Sequence, residues 1–231
     1  MTTMRVLVLG HGKTGKLVAE VAAERGHSVH VLDAKENANA AALTPPFVAG
    51  FDVVIDFTTP EAVVQNMRAV LATGARMVVG TTGWYDMLGK AKELAERKDA
   101  GLLYGTNFSI GVQAMFQMAK KMGELLRGAG YSFSIEETHH VTKVDAPSGT
   151  AITLAEVVKA ATGGADVPIK ANRVGDAAGL HVLTAESAAD KIVLTHDASS
   201  RRGFAEGAVR AAEWLSTRRG VFDFQDVYDQ I

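Results

Sequence analysis

The sequence predicts an α/β protein in which a doubly wound parallel sheet is joined to a second, α+β domain with a mixed, mostly antiparallel sheet. A short apolar run, Arg5–Leu9, enters a glycine-rich turn. Helical patterns then alternate with apolar strands as far as Tyr104. Beyond residue 130 several strands follow one another with few helices between them, which favours antiparallel pairing.

The first residues carry the pattern of a dinucleotide site. Arg5–Leu9 is almost entirely apolar, as expected of a parallel strand that is buried on both faces. It leads into a G-x-G-x-x-G turn, and a helical pattern follows as far as Gly26. Glycines permit a tight turn, and the N-terminus of the helix offers free N–H groups to a pyrophosphate. The candidate cofactor residues of this turn are Gly10, His11, Gly12, Lys13, Thr14 and Gly15.

Asp33 ends the next predicted strand, Ser28–Leu32, about 20 residues after the glycine turn, where an acid binds ribose hydroxyls. A carboxylate at this position repels a 2′-phosphate, so Asp33 favours NADH over NADPH. Lys13 and Lys35 lie close enough in sequence to offset this preference, so NADPH is tolerated, although either lysine alone is more simply explained as a solvated surface charge.

Three further strands each end in a small, polar turn: Asp56–Thr59, Gly80–Gly83 and Gly105–Phe108. Each one taken alone is explained as an ordinary turn. The carboxyl ends of parallel strands meet at one edge of a sheet, so together with the glycine turn they predict a cofactor crevice. The candidate residues are Phe57, Gly80, Thr81, Thr82, Gly105, Thr106, Asn107 and Phe108.

A polar stretch, Glu136–Ala151, carries the candidate chemistry. His139 is a candidate general acid because the pKa of histidine lies near neutrality. Lys143 can donate a proton or neutralise a carboxylate. The triplet Ser148-Gly149-Thr150 precedes a helical pattern, and a helix N-terminus suits an anion. An extended chain would place His139 and Lys143 ~13 Å apart, so they share a small substrate only if the backbone bends or the substrate bridges them.

Simpler explanations remain for each of these residues. The pair His139–His140 can bind a metal, but no third ligand follows at the usual spacing, so no metal site is expected. Ser148 alone is equally well explained as a helix cap, and Lys143 alone as a surface charge. His181 is interpreted as a structural residue.

The stretch E-E-T-H-H-V-T-K-V-D-A-P-S-G-T-A resembles the signature of the 4-hydroxy-tetrahydrodipicolinate reductase (dihydrodipicolinate reductase) family, which acts in lysine biosynthesis in bacteria and plants. The resemblance covers nearly the whole chain. Its other motifs are D-F-T-x-P at Asp56–Pro60, G-T-T-G at Gly80–Gly83, N-F-S-I-G at Asn107–Gly111, R-x-G-x-x-x-G-x-H at Arg173–His181 and T-H-x-A-S-S-R at Thr195–Arg201.

This resemblance implies a Rossmann cofactor domain (residues 1–108 and 203–231) and a domain that binds substrate and forms a homotetramer (residues 109–202). It implies that NADH or NADPH reduces 4-hydroxy-tetrahydrodipicolinate, a small dicarboxylate, to tetrahydrodipicolinate. By position, His139 matches the acid/base and Lys143 the proton donor. The residues that match substrate contacts are His140, Lys143, Ser148, Gly149 and Thr150, and Arg201 joins the cofactor residues.

Composition narrows the classes of function. The chain has 231 residues, 47% of them hydrophobic, and a net charge of −2, which argues for a packed core and against a nucleic-acid or membrane surface. The absence of cysteine excludes disulfides and thiol chemistry and fits the cytoplasm. Two alternatives are a related amino-acid dehydrogenase and a non-catalytic dinucleotide sensor. A sensor has no need of a proton donor beside an anion cradle, so the motif favours an enzyme.

Overall fold

The computed structural model describes residues 2–231, which divide into two compact units. The chain up to Ser109 and again from Arg202 to Ile231 forms the first unit, and Ile110–Arg201 forms the second. In residues 2–231 the strands are Arg5–Leu9 (β1), Ser28–Leu32 (β2), Val53–Asp56 (β3), Arg76–Val79 (β4), Gly101–Tyr104 (β5), Ser132–His139 (β6), Ile169–Arg173 (β7), Leu180–Glu186 (β8), Lys191–Asp197 (β9) and Gly220–Asp223 (β10).

The α-helices in the same residues are Lys13–Glu24 (α1), Pro45–Val48 (α2), Pro60–Ala72 (α3), Leu88–Arg97 (α4), Ile110–Leu126 (α5), Gly149–Thr162 (α6), Arg202–Leu215 (α7) and Phe224–Val227 (α8). Short 3₁₀ helices occupy Ala38–Ala40, Tyr85–Met87 and Tyr228–Gln230. None of the helices in residues 2–231 combines the length and the apolar character needed to cross a membrane.

The first unit is built on a six-stranded sheet in the order β10-β5-β4-β3-β1-β2, in which every pair of neighbours is parallel. The chain moves outward from β1 to β2, then crosses back to β3 and proceeds in the other direction. The strand order therefore reverses beside β1 and β3, and open α/β sheets bind ligands at this point. The predicted Rossmann-like, doubly wound sheet is confirmed.

The central strands of this sheet are buried on both faces, which explains their uninterrupted apolar character. Val6, Leu7, Val8 and Leu9 of β1 are all inaccessible to solvent, and β3, β4 and β5 are similarly enclosed. Capping chemistry explains where α3 starts: Thr59 caps the helix by accepting a hydrogen bond from the Ala62 N–H at 3.4 Å, and proline follows at the first helical position.

Within residues 203–231, which the resemblance assigned to the cofactor domain, Gly220–Asp223 adds a strand that the sequence did not predict. These residues form β10, the edge strand of the sheet, with Val221 paired in register with Leu102 of β5. The strand is only four residues long and half-buried throughout, so it shows neither an apolar run nor a clear alternation.

The second unit has a four-stranded sheet in the order β7-β6-β8-β9. Strand β6 pairs parallel with β7 and antiparallel with β8, and β8 and β9 form an antiparallel hairpin across residues 187–190. Alternate residues of β6 are buried, and the core on that side is shared with α5 and α6. The mixed sheet confirms the predicted α+β class. His139 is the last residue of β6.

Candidate active site

The glycine turn after β1 is shaped by close backbone contacts. Gly10 has φ +99°, a conformation that favours glycine, and a Cβ there would lie 2.3 Å from the carbonyl oxygen of Phe57. A Cβ on Gly15 would lie 2.1 Å from the carbonyl oxygen of Gly10, so α1 packs directly on the turn. Gly12 is the N-cap of α1 and has no side chain with which to cap it. The first N–H groups of α1 therefore suit an external anion.

A cavity of about 310 Å³ lies at the carboxyl ends of β1, β2 and β3. Of the predicted cofactor residues it brings together Gly10, His11, Gly12, Asp33 and Phe57. Residues 37–39, which are not among the predicted cofactor residues, also line this cavity. Lys13, Thr14 and Gly15 belong instead to the first turn of α1, beside the cavity.

Two acidic residues stand at the end of β2. The Oδ1 atom of Asp33 accepts hydrogen bonds from the N–H groups of Lys35 (2.7 Å) and Glu36 (2.9 Å), and these backbone bonds lower the pKa of Asp33. In return, Glu36 Oε2 accepts from the Asp33 N–H at 3.0 Å. Sequence reasoning missed Glu36, although an acid three residues after a capping aspartate is a known reciprocal pattern.

Asp56, the last residue of β3, organises the next part of the crevice. Its buried carboxylate accepts from Thr58 N (3.0 Å) and Thr58 Oγ1 (2.7 Å), from Thr81 Oγ1 (2.8 Å) and from Asn66 Nδ2 (2.8 Å). Asn66 in turn accepts from Asn37 Nδ2 at 2.9 Å. Burial raises the pKa of Asp56, and the hydrogen bonds from these neighbours oppose the rise. The signal in the sequence that could have identified Asp56 is a single acidic residue at the end of an apolar strand.

The turns after β4 and β5 meet the turn after β3. A Cβ on Gly80 would lie 2.2 Å from the ring of Phe57, so this glycine makes room for the aromatic side chain. The rings of Phe57 and Phe108 stand 6.3 Å apart in an edge-to-face contact. Three of the predicted strand ends are thus in mutual contact. Among the other predicted residues of these turns, Thr81 and Asn107 are buried, whereas Thr82 and Thr106 are exposed.

In the second unit, His139 is buried at the end of β6. Its Nδ1 lies 3.5 Å from Glu137 Oε2, and its ring centroid lies 5.0 Å from that of His181. Burial lowers the pKa of His139; the charge of Glu137 opposes this, and the positive charge of Lys143 adds to it. Burial likewise lowers the pKa of His181 to about 4. Both histidines are therefore neutral at pH 7.

The backbone bends directly after His139. The N–H of Lys143 donates to the carbonyl oxygen of His140 at 3.1 Å, which closes a four-residue turn. Lys143 Nζ then pairs with Asp145 Oδ1 at 2.8 Å. The extended geometry that would separate His139 from Lys143 is not adopted, and the charge of Lys143 acts directly on the pKa of His139.

Ser148 is the N-cap of α6, and both of its polar groups face inward. Its hydroxyl oxygen accepts from the Ala151 N–H at 3.2 Å and donates to Glu137 Oε2 in a short hydrogen bond. Its N–H donates to Glu137 Oε1 at 3.0 Å. The residue is almost completely buried, so it supports the start of α6, where Gly149 and Thr150 form the first turn.

Arg201, predicted as a cofactor contact, belongs to the second unit. Its Nη2 lies 3.0 Å from His140 Nε2, and Thr142 Oγ1 lies 2.7 Å from His140 Nδ1. The structure thus groups Arg201 with a residue predicted to contact substrate.

The ligand atoms of Glu137, His139 and His181 lie within 4.8 Å of one another, which is a geometry that can hold a metal ion. The prediction that no third ligand lies near His139 is therefore wrong, because strand pairing brings in His181 from far along the chain. The guanidinium of Arg173, however, donates to Glu137 Oε1 from both Nη1 and Nη2 at 3.3 Å. That charge already neutralises the carboxylate and opposes a second cation, so we interpret the two histidines as neutral neighbours of the Glu137–Arg173 ion pair.

A doubly wound sheet with an uncapped glycine turn at its switch point, and a buried histidine beside a lysine, define a dinucleotide-dependent oxidoreductase. The family profile "Dihydrodipicolinate reductase, N-terminus" matches residues 4–108, and "Dihydrodipicolinate reductase, C-terminus" matches residues 111–228. The chain belongs to the dihydrodipicolinate reductase family, as its motifs predicted. This family uses NAD(P)H and serves diaminopimelate and lysine biosynthesis.

Individual relatives agree with this assignment. A 4-hydroxy-tetrahydrodipicolinate reductase from Christiangramia forsetii is 36% identical over 99% of both chains. One from Chromobacterium violaceum is 41% identical over 77% of this chain and 73% of its own length. A dipicolinate-bound dihydrodipicolinate reductase from Paenisporosarcina sp. TG-14 has the same fold, with a TM-score of 0.79 at 23% identity over 98% of this chain and 100% of that one.

Proposed function

We propose that the protein reduces 4-hydroxy-tetrahydrodipicolinate to tetrahydrodipicolinate with NAD(P)H, as the names of its relatives indicate. The observation that carries the proposal is the bend after His139, which gathers an imidazole, an ammonium group and a helix N-terminus in one loop. A small dicarboxylate that must be held and protonated requires these groups.

The first unit would hold the cofactor. The N–H groups at the start of α1 would bind the pyrophosphate, and Phe57, Gly80 and Thr81 would shape the crevice further along the sheet edge. Gly105, Thr106, Asn107 and Phe108 would form its far end. The reduced nicotinamide supplies the hydride when bound.

The second unit would hold the substrate. Lys143 and the N–H groups of Gly149 and Thr150 would bind a carboxylate, with His140 beside them, while Ser148 fixes the start of the helix. Either His139 or Lys143 would deliver the proton. His139 is neutral at rest because burial lowers its pKa, so it acts as an acid only after it has taken up a proton as the anionic substrate arrives.

We propose NADH as the favoured cofactor. Asp33 and Glu36 place two carboxylates at the end of β2, and a 2′-phosphate would be repelled by both. In wild type we expect kcat/KM to be higher with NADH than with NADPH. The double variant D33A/E36A should narrow or reverse that ratio. An unchanged ratio would refute this part of the proposal.

We further propose a cytoplasmic homotetramer assembled through the second unit. Strand β9 lies at the edge of its sheet and leaves Ile192 42% and Val193 51% exposed, which is apolar surface that association would cover. Light scattering on the purified chain of 24.4 kDa distinguishes a tetramer from a monomer. A monomeric mass at assay concentration would rule the tetramer out.

The activity is tested by forming the substrate in situ from pyruvate and aspartate semialdehyde with the preceding synthase and following the loss of NADH or NADPH absorbance. We expect oxidation that depends on both precursors. His139→Ala and Lys143→Ala should each lower kcat by about 10²-fold or more while NADH still binds. If neither cofactor is oxidised, the proposed function is wrong; if both variants turn over normally, the assigned roles are wrong.

A further inference from the structure

The buried carboxylate of Glu137 joins four elements of the second unit. It lies two residues before His139 on the same face of β6 and is inaccessible to solvent. Its oxygens accept from both polar groups of Ser148 at the start of α6 and from Arg173 at the end of β7. His181 of β8 approaches it to 3.7 Å. A single side chain thus links β6, the strand that carries His139, with α6, the helix proposed to hold the substrate.

Arg173 extends this network to the loop that carries Lys143. Its guanidinium donates to Glu137 Oε1 and, from Nε, to the carbonyl oxygen of Lys143 at 3.4 Å. It also donates to the carbonyl oxygen of Asp145 in a short hydrogen bond, and to that of Asn172 at 2.7 Å. The guanidinium therefore fastens the backbone of the bend to a fixed, buried acceptor.

The network also determines which nitrogen of His139 carries the proton. Glu137 is ionised: burial would raise its pKa, but hydrogen bonds from the hydroxyl and N–H of Ser148 and from Arg173 outweigh burial and lower it. Glu137 Oε2 lies 3.5 Å from the buried Nδ1 of His139, which has no hydrogen-bond partner in residues 2–231. An ionised carboxylate only accepts, so this contact favours the tautomer of the neutral ring that carries its proton on Nδ1. Nε2 then lies on the side of Gly179, where a Cβ would come within 3.2 Å of it, and is the atom left to exchange a proton with a ligand.

We propose that Glu137 and Arg173 are positioning residues for the reaction: Glu137 selects the Nδ1–H tautomer of His139, and Arg173 holds the bend that brings Lys143 back towards it. This inference rests on the proposed function for its catalytic meaning, but not for its structural content. Neither residue needs to touch the substrate.

The groups that act on His139 come from every element around it. The charged or titratable neighbours of His139 and of the adjacent His181 are Glu137, Lys143, Asp145, Arg173 and His196. Removing the charge of Glu137 leaves His139 with cationic neighbours and only Asp145 to oppose them. The pKa of His139 should therefore fall further in Glu137→Gln, because the carboxylate charge that opposes the effect of burial is gone.

The decisive measurement is made on the wild-type protein and requires no variant. Nitrogen-15 NMR of histidine-labelled protein, with His139 assigned by its loss in His139→Ala, reports the tautomer directly. We expect the Nδ1–H form. A predominant Nε2–H form would overturn the role of Glu137, whether or not the protein reduces the proposed substrate.

Variants test the catalytic consequence. Glu137→Gln should lower kcat by about 10- to 100-fold and move the acidic limb of the pH profile to lower pH, with the Kd for NADH unchanged. Arg173→Lys keeps the positive charge but loses the forked set of guanidinium N–H donors, so it should mainly raise KM for the substrate. Glu136→Gln is the matched control: this neighbour lies on the opposite face of β6, pairs with Lys170 and is exposed.

The proposed function and the positioning roles of Glu137 and Arg173 are tested by different outcomes. If wild type lacks activity, the proposed function fails, and the tautomer measurement still decides the structural inference. If wild type is active but Glu137→Gln resembles Glu136→Gln in kcat and pH profile, the positioning role is refuted. A Glu137→Gln chain that does not fold leaves the decision to the wild-type tautomer and to Arg173→Lys.

Discussion

The chain of polar side chains Asp56–Asn66–Asn37 is the feature of the first unit most open to a quantitative test. Asn66 donates from its NH₂ group to Asp56 Oδ2 and accepts from the NH₂ group of Asn37 with its carbonyl oxygen. The acceptor oxygens of Asp56 thus fix the orientation of each amide. Exchanging the first two groups of the chain, by Asp56→Asn with Asn66→Asp, keeps the same number of donors and acceptors.

The cost of breaking the network follows from the donors left behind. In Asp56→Ala the N–H of Thr58 keeps Thr81 Oγ1 as an acceptor at 2.7 Å, but the buried NH₂ of Asn66 and the hydroxyl of Thr81 lose the acceptor shown for them. Each such loss costs about 1–3 kcal/mol, which gives about 2–6 kcal/mol in total. Asp56→Asn sets two NH₂ groups against each other and should cost about 1–3 kcal/mol.

The double variant D56N/N66D should recover most of that loss, with a coupling free energy of about 1–3 kcal/mol. Urea unfolding followed by tryptophan fluorescence is the suitable assay, because the two tryptophans, Trp84 and Trp214, both lie in the first unit. Asp86→Asn, at an exposed position, serves as the control and should change stability by less than about 0.5 kcal/mol.

A double variant whose two effects simply add, with coupling below about 0.5 kcal/mol, would refute the proposed orientation of the amides. Titration with NADH gives a second readout, because Thr58 and Asn66 line the same cavity as Asp33. We expect Asp56→Ala to weaken NADH binding as well as folding, and the double variant to restore both.

Three further predictions concern other parts of the molecule. Gly207→Ala should lower the free energy of unfolding by about 1–3 kcal/mol, because a Cβ there would lie 1.7 Å from a backbone oxygen, whereas Gly89→Ala has open space and should stabilise by about 0.5–1 kcal/mol in thermal melts. Burial would raise the pKa of Glu213, but hydrogen bonds from an arginine and a histidine outweigh burial, so the pKa of Glu213 is lower in the folded than in the unfolded protein. The stability gained from this difference is present above about pH 4.5 and is lost as the pH falls. Glu213→Gln should therefore flatten the acid limb of a pH–stability curve. Asp145→Asn frees Lys143 from an ion pair and should lower KM for the substrate by roughly two- to fivefold in steady-state assays.

Each of these has a control and a contrary result. Equal melting temperatures for the two glycine variants would contradict the close contact at Gly207. Glu20→Gln, at an exposed position on α1, should leave the acid limb unchanged. An identical response in both glutamate variants would show that Glu213 does not cause the loss of stability at low pH. A higher KM in Asp145→Asn would show that Asp145 supports the substrate site and does not compete for Lys143.

What the sequence predicted was determined by local chemistry. The glycine turn at Gly10–Gly15 depends on residues that are close in the chain, so its pattern is visible without a structure. For the segment around Lys143 the sequence left both an extended and a bent backbone open, and the structure shows the bend. The surroundings of Glu137 depend on strand pairing, because Arg173 and His181 reach it from β7 and β8. Nothing in the spacing of these residues indicates that they meet. Ser148 shows the same limit: the sequence placed it correctly at a helix start but could not show that its hydroxyl faces inward.

The edge strand β10 has a consequence for the order in which the chain folds during synthesis. The first unit takes α7 and β10 from the end of the chain, whereas the second unit is one continuous segment. A ribosome therefore releases every residue of the second unit before the first unit has its last strand, although the first unit was begun earlier. Until β10 is synthesised, β5 has no neighbour on one side and forms an exposed edge of the sheet. The second unit can therefore be completed before the first, in contrast to the usual order in which N-terminal domains fold first.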